Sequence, residues 1–150
     1  MSKIVFEDVK HKAMWDFVIN YVETDFDDVA VNLDELKDSF VVSSDDFSMD
    51  NSCYMCEYGK VVRINSFKSV SRCHYCPAKL DEKCKEPCFC LNGNYRYCYA
   101  LFEMLTAANV CNTMPKTMYD SAKEEFFRVA KLIRDWPIRE DVLCRSQLTK

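Results

Sequence analysis

The chain has 150 residues, 49% hydrophobic and 13% aromatic, with a formal net charge of −4. That is enough apolar material to close a core, which excludes wholesale disorder, and no run approaches the ~20 apolar residues of a membrane span. Histidine occurs only at positions 11 and 74 and glycine only at 59 and 93, which excludes an HExxH metal-enzyme motif and glycine-rich phosphate loops.

Charge is distributed unevenly. Residues 1–60 carry fourteen acids against five bases, net −9, and residues 61–150 carry ten acids against fifteen bases, net +5. Such a split fits an acidic half that meets a basic partner, a basic half that meets nucleic acid, or two solvated faces that partly neutralise each other.

Residues 8–22 read as an amphipathic helix, with Met14, Phe17, Val18, Tyr21 and Val22 on one stripe. His11 is expected on a helix face. An acidic loop at 24–28 follows, with Asp27 or Asp28 available to cap a second helix over 29–42. That helix would bury Val29, Leu33, Leu36 and Phe40 and expose Asp34, Glu35 and Asp38. Residues 43–52 (SSDDFSMDNS) have linker composition.

KVVRI (60–64) and the stretch 67–70 read as short strands joined by a turn at Asn65-Ser66. Asn92-Gly93 is the strongest tight-turn signal. Helical spacing returns over 95–108, with Tyr95, Cys98, Leu101, Phe102 and Leu105 on one side. Pro115 suits the first turn of a long helix reaching about Trp136, whose stripe is Tyr119, Ala122, Phe126, Val129, Ala130 and Ile133. Pro137 stops it, and a short terminal helix through Val142 and Cys144 follows. The expected fold is mainly α (α+β): four to five helices around a Cys-rich zinc-binding insert with a short β-hairpin. It divides into an acidic helical part (1–50), a Cys-rich module (51–100) and a helical part (101–150) within one compact domain.

Ten cysteines are present, eight of them between positions 53 and 98. Cys53-x2-Cys56 is followed after sixteen residues by Cys73-x2-Cys76. A CxxC loop turns two sulfurs toward one point, and two such loops complete a tetrahedron of thiolates around Zn2+. The stretch resembles zinc-ribbon and treble-clef modules in ligand spacing only. Gly59 fits a knuckle turn beside the first pair. Cys84, Cys88, Cys90 and Cys98 supply a second, irregular set for a second zinc ion; an interleaved pairing that uses His74, or burial of Cys90 and Cys98 as small apolar residues, are the alternatives. An iron–sulfur cluster is the chemical rival, since Cys84-x3-Cys88-x-Cys90 is one residue short of a C-x3-C-x2-C run and Cys76-Pro77 matches the end of some ferredoxin ligand sets.

Catalytic motifs find little support. The zinc-deaminase pattern fails at His74-Tyr75, a redox role for Cys53 and Cys56 ranks below ligation, and Cys111 and Cys144 are expected as inert core thiols. Residues 61–100 interleave seven bases and several aromatics with three acids, the ingredients of a nucleic-acid surface. Two tetrathiolate zinc sites would each carry −2, however, and offset that charge. The reading is therefore a zinc-stabilised, non-enzymatic regulatory or inhibitory protein of viral or accessory type that binds a protein partner. A nucleic-acid-binding zinc protein and an iron–sulfur or redox protein are the alternatives. The first residues lack the apolar stretch of a secretory signal, so the reducing cytoplasm is the expected compartment.

Overall fold

The computed structural model describes residues 4–25, 32–44, 53–66, 75–79, 91, 93–111 and 114–148. Six α-helices follow in order: α1 (Asp8–Asn20), α2 (Leu33–Ser43), α3 (Tyr54–Ile64), α4 (Asn94–Cys111), α5 (Lys116–Arg134) and α6 (Arg145–Leu148), with a π-helical turn at Tyr21–Asp25 extending α1. No helix among the described residues is long and apolar enough to cross a membrane.

The short connection between α4 and α5 folds them back on each other as a helical hairpin. Phe102 and Phe126, both fully buried, meet across it with ring centroids 5.7 Å apart. Burying each ring contributes about 1.5–3 kcal/mol. Helix α1 packs on α5 and is pinned there at both ends. His11 Nε2 donates to Ile133 O at 3.0 Å, and Arg134 Nη1 donates to Asp16 Oδ1 at 2.8 Å.

Helix α2 begins at Leu33 rather than at 29, because Asn32 is a reciprocal cap. Its side-chain oxygen accepts from the Glu35 N–H at 2.8 Å and its side-chain Nδ2 donates to the Glu35 carboxylate at 2.9 Å, so the cap oxygen satisfies a free N–H of the first turn and the carboxylate steadies the cap. The expected caps Asp27 and Asp28 lie outside the described residues.

The expected β-hairpin is not what forms. Among the described residues there is no strand of a sheet, and KVVRI belongs to α3. Its β-branched residues favour a strand locally, but tertiary packing decides. Tyr54 meets Phe40 at 6.3 Å and Tyr58 meets Phe6 at 5.9 Å, contacts that need i and i+4 on one face. Gly59 is buried inside that helix and not in a knuckle turn. Asn65 does close the element, with its side-chain amide donating to Val61 O at 2.8 Å. The second expected strand, 67–70, lies outside the described residues.

Two isolated bridges tie the remaining extended pieces to the bundle: Phe6 runs parallel to Cys144, and Ala78 antiparallel to Ile138. The terminal helix is α6, which starts just past Cys144. Gly93, at φ +85°, carries the chain into α4, and the Tyr97 N–H donates to its carbonyl at 3.1 Å. The expected turn falls there because glycine adopts that conformation without strain.

Candidate functional site

Cys53 occupies the N-cap of α3 and Cys56 its first turn. The Cys53 sulfur accepts the Cys56 backbone N–H at 3.5 Å. Placing CxxC across a helix start directs both sulfurs to the positive end of the helix dipole, where a thiolate is favoured. The hydrogen bond from the Cys56 side chain, then the Lys37 ammonium, the Cys56 N–H and His11 hold the Cys53 thiol well below its ordinary value, against burial. Both cysteines are half-buried.

The side chains outside α3 that act on the Cys53 thiol come from neighbouring helices. Lys37 lies on the buried stripe of α2, at 2% exposure. Its ammonium donates to the Tyr95 hydroxyl at 2.9 Å and sits 4.2 Å from the centre of that ring and 5.7 Å from that of Trp15. Trp15 and Tyr95 meet edge to face at 6.2 Å. The Tyr95 hydroxyl in turn donates to Asp34 Oδ1 at 2.8 Å. A buried ammonium is thus held by two ring faces and linked through a phenol to a surface carboxylate, an arrangement that offsets the cost of removing the charge from water. His11, one turn before Trp15, is also buried, and burial lowers its pKa. Because its partner at Ile133 is a carbonyl, Nε2 carries the hydrogen.

Cys76 is brought to a different part of the fold. The Tyr75 hydroxyl lies 2.9 Å from Ser66 Oγ, at the far end of α3 from Cys53. The following residues are clamped to the exit of α5: Lys79 N donates to Pro137 O and Arg139 N to Pro77 O, both at 2.8 Å, and Trp136 Nε1 donates to Lys79 O at 2.9 Å. The eleven residues of α3 span about 16 Å, so the chain leaves the first CxxC pair by a helix and not by a strand that returns to it. Cys76 is half-buried and packs on the core. Among the described residues no three of His, Cys, Asp and Glu come together closely enough to hold a metal ion.

Cys98 is fully buried on α4, one turn past Tyr95, and burial pushes its thiol up to about 12. That environment favours the protonated, apolar form of the thiol. Cys73, Cys84, Cys88, Cys90 and His74 lie outside the described residues. Cys144 is buried, as expected of a core thiol, and burial raises its pKa. Cys111 is exposed at the end of α4, contrary to the core position expected of it.

Lys37, His11 and Trp15 are the parts of this site that the spacing of cysteines does not announce. One signal was available for Lys37: it lies four residues after Leu33 and three before Phe40, on the apolar side of α2. Comparison with known proteins finds no matching family model, no matching curated protein and no matching solved structure.

Proposed function

We propose that this chain is a zinc-stapled helical protein that works by binding a protein partner and does not catalyse a reaction. The observation that carries the metal reading is the Cys53–Cys56 pair at the start of α3, where two sulfurs share one helix end and the Cys53 thiol is held well below its ordinary pKa. Zn2+ takes such thiolates as tetrahedral ligands. Cys53 and Cys56 would supply two, with the others drawn from Cys73, Cys84, Cys88 and Cys90.

The surface that supports the partner reading is the outer side of α4. Tyr97, Met104 and Val110 are 44, 40 and 52% exposed there, with exposed Ala100 and Ala107 between them. The opposite side of the same helix buries Cys98, Leu101, Phe102 and Leu105. A helix apolar on both sides suits a position covered on both sides, and tyrosine and methionine are enriched at protein interfaces.

Two measurements test this reading. Elemental analysis of purified protein should give zinc, lost in Cys53→Ser. Affinity capture should retain a partner that Met104→Glu releases. Zinc-free wild-type protein would sink the metal part, and equal capture by both chains the interaction part.

One observation favours a second reading. A CxxC pair whose first cysteine caps a helix and has its thiol pKa lowered is also the arrangement of an attacking thiolate in dithiol oxidoreductases. A reversible Cys53–Cys56 disulfide in zinc-free protein, detected by mass spectrometry after a redox titration, would select it.

A further inference from the structure

The outer side of α4 carries its charges and its apolar side chains on opposite flanks of one small residue, Ala100. Successive residues of a helix turn by about 100°, so Tyr97 and Met104 lie about 40–60° to one side of Ala100 and Arg96 and Glu103 about as far to the other. All five are exposed, Tyr97 by 44% and Met104 by 40%, while Cys98, Leu101, Phe102 and Leu105 face the core. Each flank thus holds an unlike pair seven residues apart, an aromatic ring with a thioether and a base with an acid. Two turns of helix put about 10 Å between the members of a pair, so neither pair closes within its own helix. Neither Arg96 nor Glu103 forms an ion pair with another described residue.

An antiparallel copy of the same helix completes both pairs. A two-fold axis through Ala100, at right angles to α4, reverses the helix and lays each flank along the same flank of the copy. Arg96 then meets the partner's Glu103, and Glu103 the partner's Arg96. On the other flank Tyr97 meets the partner's Met104, a sulfur–aromatic contact made twice by symmetry. Ala100 is central to both pairs and faces its own copy across the axis, where a small side chain lets the helices approach to the short end of the usual 8–10 Å or so. Residues 94–106 overlap, a contact about 18 Å long. A parallel copy would set each charged flank against an apolar one and leave all four charges unpaired.

We propose that the partner of the α4 face is a second copy of this chain, joined as an antiparallel two-fold dimer with Ala100 on the axis. The inference deepens the interaction reading above and rests on it. Covering Tyr97 and Met104 on both chains drives association. The ion pairs at the edge contribute less to affinity and fix direction and register.

The test is sedimentation velocity of the full chain over a wide range of concentration. A reducing agent keeps the exposed Cys111 from joining two chains by a disulfide, and circular dichroism confirms that each variant is folded. The wild type should pass from monomer to dimer as concentration rises. Arg96→Glu sets acid against acid at both ends of the charged flank and should weaken the dimer at least about tenfold. Adding Glu103→Arg to it exchanges the two charges and should recover most of that loss, a rescue that general damage to the surface would not allow. Ala100→Arg, which brings two cations together on the axis, should leave monomer alone. A dimer that Ala100→Arg does not disturb forms elsewhere on the chain and overturns the inference. A dimer weakened by Arg96→Glu and not restored by the exchange also overturns it. So does a wild type that stays monomeric. In that case, release of another protein by Met104→Glu in the capture experiment gives the face to a foreign partner and leaves the interaction reading standing, and no release overturns both.

Discussion

His11 Nε2 donates to Ile133 O at 3.0 Å and joins the first turn of α1 to the last turn of α5 across 122 positions of sequence. Burial lowers the pKa of this imidazole, with Lys37 pushing the same way, while Cys53, the Ile133 carbonyl and Asp8 oppose them. In the unfolded chain the ring titrates near ~6.5. The folded state therefore binds fewer protons than the unfolded state in this region, and stability rises with pH. Thermal midpoints should be level above about pH 7 and fall as the pH drops through ~6.5 toward the lower folded value. His11→Gln should flatten this dependence. A midpoint that does not change between pH 5 and 7 would contradict it.

The α4–α5 contact is the centre of the core, and Phe102 and Phe126 are its two fully buried rings. Phe102→Ala should cost about 3–5 kcal/mol, from lost transfer energy plus the cavity left behind. Urea unfolding would measure it. A cost under about 1 kcal/mol would mean that the hairpin collapses around the gap.

Cys98 and Cys111 lie on one helix in opposite environments, one fully buried with its thiol near 12 and one exposed. Iodoacetamide at pH 8 should label Cys111 within minutes and leave Cys98 unlabelled until the protein is denatured, because the thiolate is the reacting species. Peptide mapping by mass spectrometry gives the order directly. Cys98→Ala should leave the zinc content unchanged.

Gly93 enters α4 at φ +85°, with no atom of the fold near the position a Cβ would take. Gly93→Ala should therefore cost only the backbone strain of a left-handed residue, about 1 kcal/mol. Gly93→Asn should cost less, since asparagine tolerates that region. Chemical denaturation of the two variants side by side separates strain from crowding.

Helices α1, α2, α4 and α5 were legible because their apolar residues recur at helical spacing and fall on the buried side. Met14, Leu33, Leu36, Phe102, Leu105, Phe126 and Ile133 are all in the core. The residues at 60–64 were misread because two valines and an isoleucine resemble a strand in isolation, and contacts to Phe6 and Phe40 from distant positions override that preference. Phe6 was invisible for the same reason: its burial depends on pairing with Leu143–Arg145, a relationship that no local window contains. Spacing identified Cys53 and Cys56 as a pair that shares one point. It could not say that Lys37 would be buried against Trp15 and Tyr95, because a lysine between apolar residues reads as a surface residue until the rings that cage it are in place.

The bond of Phe6 to the segment around Cys144 has a consequence for how the protein is made. Phe6 N donates to Leu143 O at 2.8 Å and Arg145 N to Phe6 O at 3.0 Å, while Ser146 Oγ donates to Asp8 Oδ2 at 3.0 Å. Helix α1 therefore waits for a segment synthesised much later, and it cannot reach its final seat on α5 until residues 133–145 have emerged. During synthesis at about 5–20 residues per second, its apolar face stays exposed for several seconds. That interval is when a chaperone, or a partner that prefers an unclosed α1, would find this chain.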